Sequence, residues 1–139
     1  MSVKIAGCWE RGWDTAWQEY NWWVHPLKEF GISEFYMNPI TGISKSNVIE
    51  FNNILEIINS VTDHTCVYLD ESATTNLVDF VHPTNALYII GRTSYSPYVA
   101  HFRPGIDQAV KIPSLANNGG FWGHQVATMI LYDRYVKEL

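Results

Sequence analysis

Short apolar runs alternate with longer segments of helical period along these 139 residues. Runs at 3–8, 34–37, 65–69, 86–90 and 109–112 read as strands, and the continuous stretch 86–90 (ALYII) is what a central parallel strand covered on both faces requires. Behind Asp14, whose carboxylate can cap a first turn, Trp13, Trp17 and Tyr20 fall at helical spacing. Pro26 lacks an amide hydrogen and predicts a kink or a restart before that helix ends at Phe30-Gly31. Residues 46–60 carry Val48, Phe51, Ile54, Leu55 and Ile58 on one face, which predicts an amphipathic helix capped by Ser46 or Asn47. A short helix at 76–81 stops before His82-Pro83. The closing helix, from Trp122 or Gly123 to Lys137, turns Val126, Met129, Ile130 and Tyr132 or Asp133 toward a core. The alternation predicts an α/β fold, a mostly parallel sheet flanked by helices, as a single domain over 1–139.

Composition narrows this picture. At 47% hydrophobic the chain can build one real core and shows no linker or low-complexity tract that would divide it. Cys8 and Cys66 each sit in an apolar strand, a pattern of buried reduced thiols rather than a disulfide framework. There is no leader-like apolar segment and no run of the roughly 20 residues that a membrane span needs, so the expectation is a soluble, cytoplasmic protein without membrane contact. The formal net charge of −5 excludes a broad phosphate-binding face, although Arg92, Arg103, Lys111 and Arg134 gather in the last third and leave room for a local basic rim.

The common nucleotide motifs are missing. Gly7-Cys8-Trp9-Glu10-Arg11-Gly12 has P-loop glycine spacing, but Trp13-Asp14 stands where lysine and serine or threonine must meet phosphate and magnesium. No G-x-G-x-x-G follows a strand, and the histidines and cysteines lack metal-ligand spacing. Ser72, Ser94 and Ser96 lie outside any G-x-S-x-G elbow and read as turn-stabilising hydroxyls. What remains is position. In an open parallel sheet, ligands bind outside the carboxyl ends of the strands, where loops converge and backbone amides are free. Asp70-Glu71-Ser72, Arg92-Thr93-Ser94, and the segment from Ser114 through Asn117-Asn118-Gly119-Gly120 all occupy such ends, and the paired glycines permit close backbone approach.

The C-terminal block combines 86–91 (ALYIIG), 110–113 (VKIP), 118–120 (NGG) and 124–132 (HQVATMILY). Together with the Phe30-Gly31 step and 38–42 (NPITG), it resembles the SPOUT methyltransferases of the TrmH-like branch over nearly the whole chain. The resemblance implies a C-terminal trefoil knot, S-adenosylmethionine as cofactor, an RNA acceptor (a tRNA ribose 2′-hydroxyl), and a homodimer. It places the cofactor against Leu69, Asp70, Glu71, Gly91, Arg92, Ile112, Leu115, Gly119, Gly120 and Gln125. The catalytic candidates are Arg11, which follows the first strand, Arg92 and His124; Arg92 could equally hold a substrate phosphate or pair with Asp70 or Glu71. Three positions depart from the branch. His25 stands where its first-helix arginine is expected, 91–96 lacks the motif acid and second glycine, and Gln125 replaces an asparagine. A non-catalytic S-adenosylmethionine-binding or scaffold protein of the same fold is therefore the alternative.

Trp9, Trp13, Trp17, Trp22 and Trp23 crowd one short segment, more indole than a small core accepts. Some are expected at the surface, where their helical spacing favours protein contact over stacking on unpaired bases.

Overall fold

The computed structural model describes residues 1–10 and 16–139, and its elements follow a repeated strand-then-crossover order. The strands are β1 (Ser2–Cys8), β2 (Phe35–Asn38), β3 (Val48–Glu50), β4 (Thr65–Leu69), β5 (Asn85–Ile90) and β6 (Gln108–Val110). The helices are α1 (Ala16–Glu29), α2 (Ile54–Ser60), α3 (Pro97–His101) and α4 (Gly123–Lys137). All strand pairs are parallel, in the order β3-β2-β1-β5-β4-β6.

The period-2 alternation of each strand decides which layer it feeds. Ile5, Phe35, Met37, Val67, Leu69, Ala86, Tyr88 and Ile90 face α1 and α4, packing with Trp23, Leu27, Ala127 and Ile130. Ala6, Tyr36, Cys66, Tyr68, Leu87 and Ile89 form the opposite layer with Ile54, Ile57 and Ile58 of α2. The result is a three-layer α/β/α arrangement in which β1 and β5 are central. Both cysteines are buried and unpaired. No helix of the described residues is long and apolar enough to cross a membrane.

The structure corrects several expectations. Residues 46–60 are not one helix. Val48-Ile49-Glu50 is an edge strand, and α2 starts only after Asn53, whose side chain accepts from the Glu56 amide at 3.0 Å. Glu50 explains why the strand is worth forming there. Its carboxylate accepts from Trp9 Nε1 at 2.6 Å and from the amides of Thr41 and Gly42 at 3.0 Å, so it anchors both the core indole and the 39–43 turn. Helix α1 runs through Pro26 without a restart, since Trp23, Val24 and Leu27 hold it to the core on either side. Residues 77–79 form one 3-10 turn in place of a helix at 76–81, and β6 ends at Val110, with Lys111 forming only an isolated bridge to Asn76. In α4 the buried positions are Ala127, Ile130, Leu131 and Arg134, whereas Tyr132 is exposed. The Asp14 cap lies outside the described residues.

Trp23 locks α1 to the sheet and to α4. The indole is 1% exposed, and an added Cβ would come within 2.5 Å of it at Gly7 and 2.9 Å at Gly123. At the other end of α4, Arg134 Nη1 donates to the Pro83 carbonyl at 2.7 Å and to the Tyr88 hydroxyl at 3.0 Å. His82 Nδ1 lies 2.7 Å from that hydroxyl and Nε2 lies 2.7 Å from Asp133. A carboxylate only accepts, so Nε2 carries the proton and Nδ1 receives the tyrosine's.

Candidate functional site

The carboxyl ends of β1, β4, β5 and β6 open onto a cleft of about 450 Å³, closed on its far side by the start of α4. This volume falls within the range of small-molecule sites. Leu69, Ile90, Ile112 and Val126 give it apolar walls, and Glu10, Asp70, Glu71 and Arg92 give it charge.

Local chemistry holds each loop. The Asp70 amide donates to the Val110 carbonyl at 3.1 Å, pinning the end of β4 to β6. The Asp70 carboxylate then gathers the Ser72 amide at 3.0 Å, the Ser72 hydroxyl, and the Ser96 hydroxyl at 2.7 Å. Ser96 is also the N-cap of α3, accepting from the Val99 amide at 3.2 Å, with Pro97 at the first helical position. Residues 92–95 form a tight turn in which the Arg92 amide donates to the Tyr95 carbonyl at 3.1 Å and the Tyr95 amide returns the bond at 3.0 Å. Gly91 is obligatory beneath this turn, because an added Cβ would lie 2.5 Å from the Tyr95 carbonyl oxygen and 2.7 Å from the Pro97 ring.

Glu10 brings the loop after β1 to the same place. Its carboxylate accepts from the Thr93 amide at 3.2 Å and bonds the Thr93 hydroxyl, while Arg92 Nη1 reaches the Trp9 carbonyl at 3.4 Å. The wall before α4 is the turn at 117–120, where Asn117 and Gly119 have φ of 52° and 66°, and where a Cβ on Gly119 would overlap the Glu71 carboxylate.

Leu69, Asp70, Glu71, Gly91, Arg92, Ile112, Gly119 and Gly120 therefore meet at one cleft. Leu115 does not, being fully exposed on the segment before the turn, and the exposed Gln125 folds back to accept from the Trp122 amide at 2.8 Å as a helix cap. His124 packs beside the cleft between Trp22 and Trp122, at ring separations of 5.6 and 6.4 Å, and burial pushes its imidazole below 6.5 while the Glu19 carboxylate draws it up. Arg11 lies outside the described residues. Glu10 and Phe121 line the cleft without having been expected there, and Thr93 lines it from the expected loop after β5. Of the residues expected to form a basic rim, Arg92 lines the cleft and Arg103, Lys111 and Arg134 do not. Arg103 pairs with Asp107 at 2.7 Å, Arg134 is buried, and among the described residues Arg92 is the one cation lining the cleft.

No protein-family model matches the chain, and no curated protein sequence matches it. Solved structures do. The SpoU methyltransferase AviRb from Streptomyces viridochromogenes, in complex with AdoMet, superposes with a TM-score of 0.75 at 14% identity, over 99% of this chain and 58% of that one. This chain has the SpoU/TrmH fold. The TrmH/SpoU tRNA modifying enzyme of A. aeolicus agrees, at a TM-score of 0.71 and 12% identity over 99% of this chain and 76% of that one. A structure concerned with 2-OH methylation of C/U34 on tRNA gives 0.70 and 9%, over 99% of this chain and 92% of that one. The SpoU/TrmH likeness is thus one of backbone architecture spanning the whole chain, carried with little shared sequence.

Proposed function

We propose that the chain is an S-adenosylmethionine-dependent methyltransferase that acts on RNA, with a tRNA ribose 2′-hydroxyl as acceptor. The observation that carries this reading is the glycine-walled cleft at the carboxyl ends of β4, β5 and β6 within a SpoU/TrmH fold. The residues fit the cofactor. Leu69, Ile90, Ile112 and Val126 suit an adenine, Gly120 lines the cleft with no side chain to bar close approach of its backbone, and Glu10, Asp70 and Glu71 suit the ammonium and sulfonium charges.

When bound, the cofactor supplies an electrophilic methyl group on sulfur. The protein must orient the acceptor, stabilise its developing oxyanion and take up its proton. A guanidinium keeps its charge at any working pH, and in this reading Arg11, which follows the first strand, meets the oxyanion, with Arg92 holding the cofactor or a substrate phosphate. His124, whose imidazole burial pushes below its ordinary value, is the adjacent group able to accept the proton. The reading includes a C-terminal trefoil knot, with the last helix threaded through a loop, as the family resemblance implies. It also includes a cytoplasmic homodimer through α1 and α4. The exposed Tyr132 and Tyr135 border a groove with Phe30, Leu131 and Met1 that a second copy could fill.

Methyl incorporation from labelled S-adenosylmethionine into bulk tRNA tests the reading. The unaltered protein should transfer label into ribose, and Arg11→Ala should lose about a hundredfold in rate, roughly 3 kcal/mol, at unchanged cofactor affinity. Cofactor binding without transfer to any RNA would favour the binding-protein alternative, in keeping with the exposed His25 that stands in place of a first-helix arginine.

A further inference from the structure

The wall of the cleft continues outward as a row of rings. Phe121 lines the cleft itself and is 40% exposed, and the next residue, Trp122, is 46% exposed. Trp122 lies nearly parallel to His124, at 28° between planes, and His124 in turn packs on Trp22 of α1, which is 47% exposed. The row is held from below. Trp23 is buried against Gly123 and meets His124 edge-on at 6.4 Å, so the rings stand on a fixed base rather than on a loose loop.

We propose that the exposed indoles of Trp122 and Trp22, with His124 packed between them, form a stacking platform for unpaired nucleobases next to the reacting position. The inference rests on the proposed RNA acceptor and names its class: a single-stranded or looped segment instead of a duplex. Charge favours that occupant. A duplex is gripped through many phosphates, and the cleft offers one described cation, Arg92, amid three carboxylates. Stacking needs no phosphate contact, because every base presents a π face and each stacked base is worth about 1–3 kcal/mol. Continuity with the cleft through Phe121 sets the platform at the edge of the acceptor site. The apolar groove at Phe30, Tyr132 and Tyr135 lies at the other end of α4, so a second copy docking there leaves the platform free.

The test is equilibrium binding of a fluorescein-labelled oligoadenylate of about ten nucleotides, without cofactor, compared with the same strand annealed to its complement. The single strand should bind more tightly than the duplex, with a log–log salt slope no steeper than about −1.4, the value for two phosphates. Trp122→Ala should weaken it about tenfold or more, and Trp122→Phe, which keeps a ring, should restore most of the loss. Equal affinity of Trp122→Ala and the unaltered protein, or preference for the duplex, would overturn the proposal. So would a Trp22→Ala, Trp122→Ala double variant that turns from dimer to monomer with oligonucleotide affinity unchanged. A separate cofactor titration distinguishes the failures, since loss of S-adenosylmethionine binding strikes the cleft and not the platform.

Discussion

The Ser96 hydroxyl lies 2.7 Å from Asp70 Oδ1, and this bond joins the loop after β4 to the loop after β5 across the mouth of the cleft. Asp70 is therefore a positioning residue whose effect is felt on two walls at once. Asp70→Ala releases Ser72 and Ser96 together and should cost about 1–3 kcal/mol in urea unfolding, with cofactor affinity falling about tenfold. Ser96→Ala should lose less stability, because α3 keeps Pro97 at its first turn. Unchanged affinity in a folded Asp70→Ala variant would remove Asp70 from the site.

The two glycine walls should respond differently. A Cβ at Gly91 meets the Tyr95 carbonyl and the Pro97 ring, so Gly91→Ala must displace the 92–95 turn and should destabilise by about 1–3 kcal/mol. A Cβ at Gly120 meets only the Asn118 side chain, at 3.0 Å, and Gly120→Ala should fall within about 0.5 kcal/mol of the parent. Denaturant midpoints check both. Equal losses would contradict the assigned packing. Gly120 is accordingly the cleaner position at which to add bulk to the cleft.

Strands β1, β2, β4 and β5 and helix α4 were legible because period, apolar run and terminal residues agreed in each. Residues 46–60 misled because Val48, Phe51, Ile54, Leu55 and Ile58 satisfy a helical period while the β-branched pair Val48-Ile49 and the break at Asn52-Asn53 argue for strand, turn and cap. Helix α3 carried a readable signal in Ser96-Pro97, an N-cap followed by proline at the first turn. The cleft's loops were found from topology alone, since ligands collect at carboxyl ends of parallel strands. Glu10 was not legible, because its role depends on Thr93, 83 residues away, and no local pattern announces such a pairing. Leu115 and Gln125 were placed by motif position, and the chain directs one to solvent and uses the other as a cap.

Three partly buried histidines set a pH limit on stability. Burial pushes His82 below its ordinary 6.5, against the Asp133 carboxylate that draws it up, and His64 and His124 are lowered by burial as well. Below pH 6.5 the unfolded chain therefore holds more histidine protons than the native one. Stability should be fully present above that value and fall as pH drops from 6.5 toward about 5, before most carboxylates titrate. His82→Gln should flatten part of that decline, read from urea midpoints across the range. A midpoint that does not change over this window in the unaltered protein would contradict the assignment.

Everything proposed about chemistry depends on the cleft holding S-adenosylmethionine. Isothermal titration of S-adenosylmethionine into the unaltered protein, repeated on Gly120→Val, tests this most directly. The expected result is one saturable site per chain, with affinity reduced at least tenfold when Gly120 gains a branched side chain and the denaturant midpoint stays near the parent's. Absence of binding heat at several temperatures, or identical affinity in a folded Gly120→Val protein, would contradict the account.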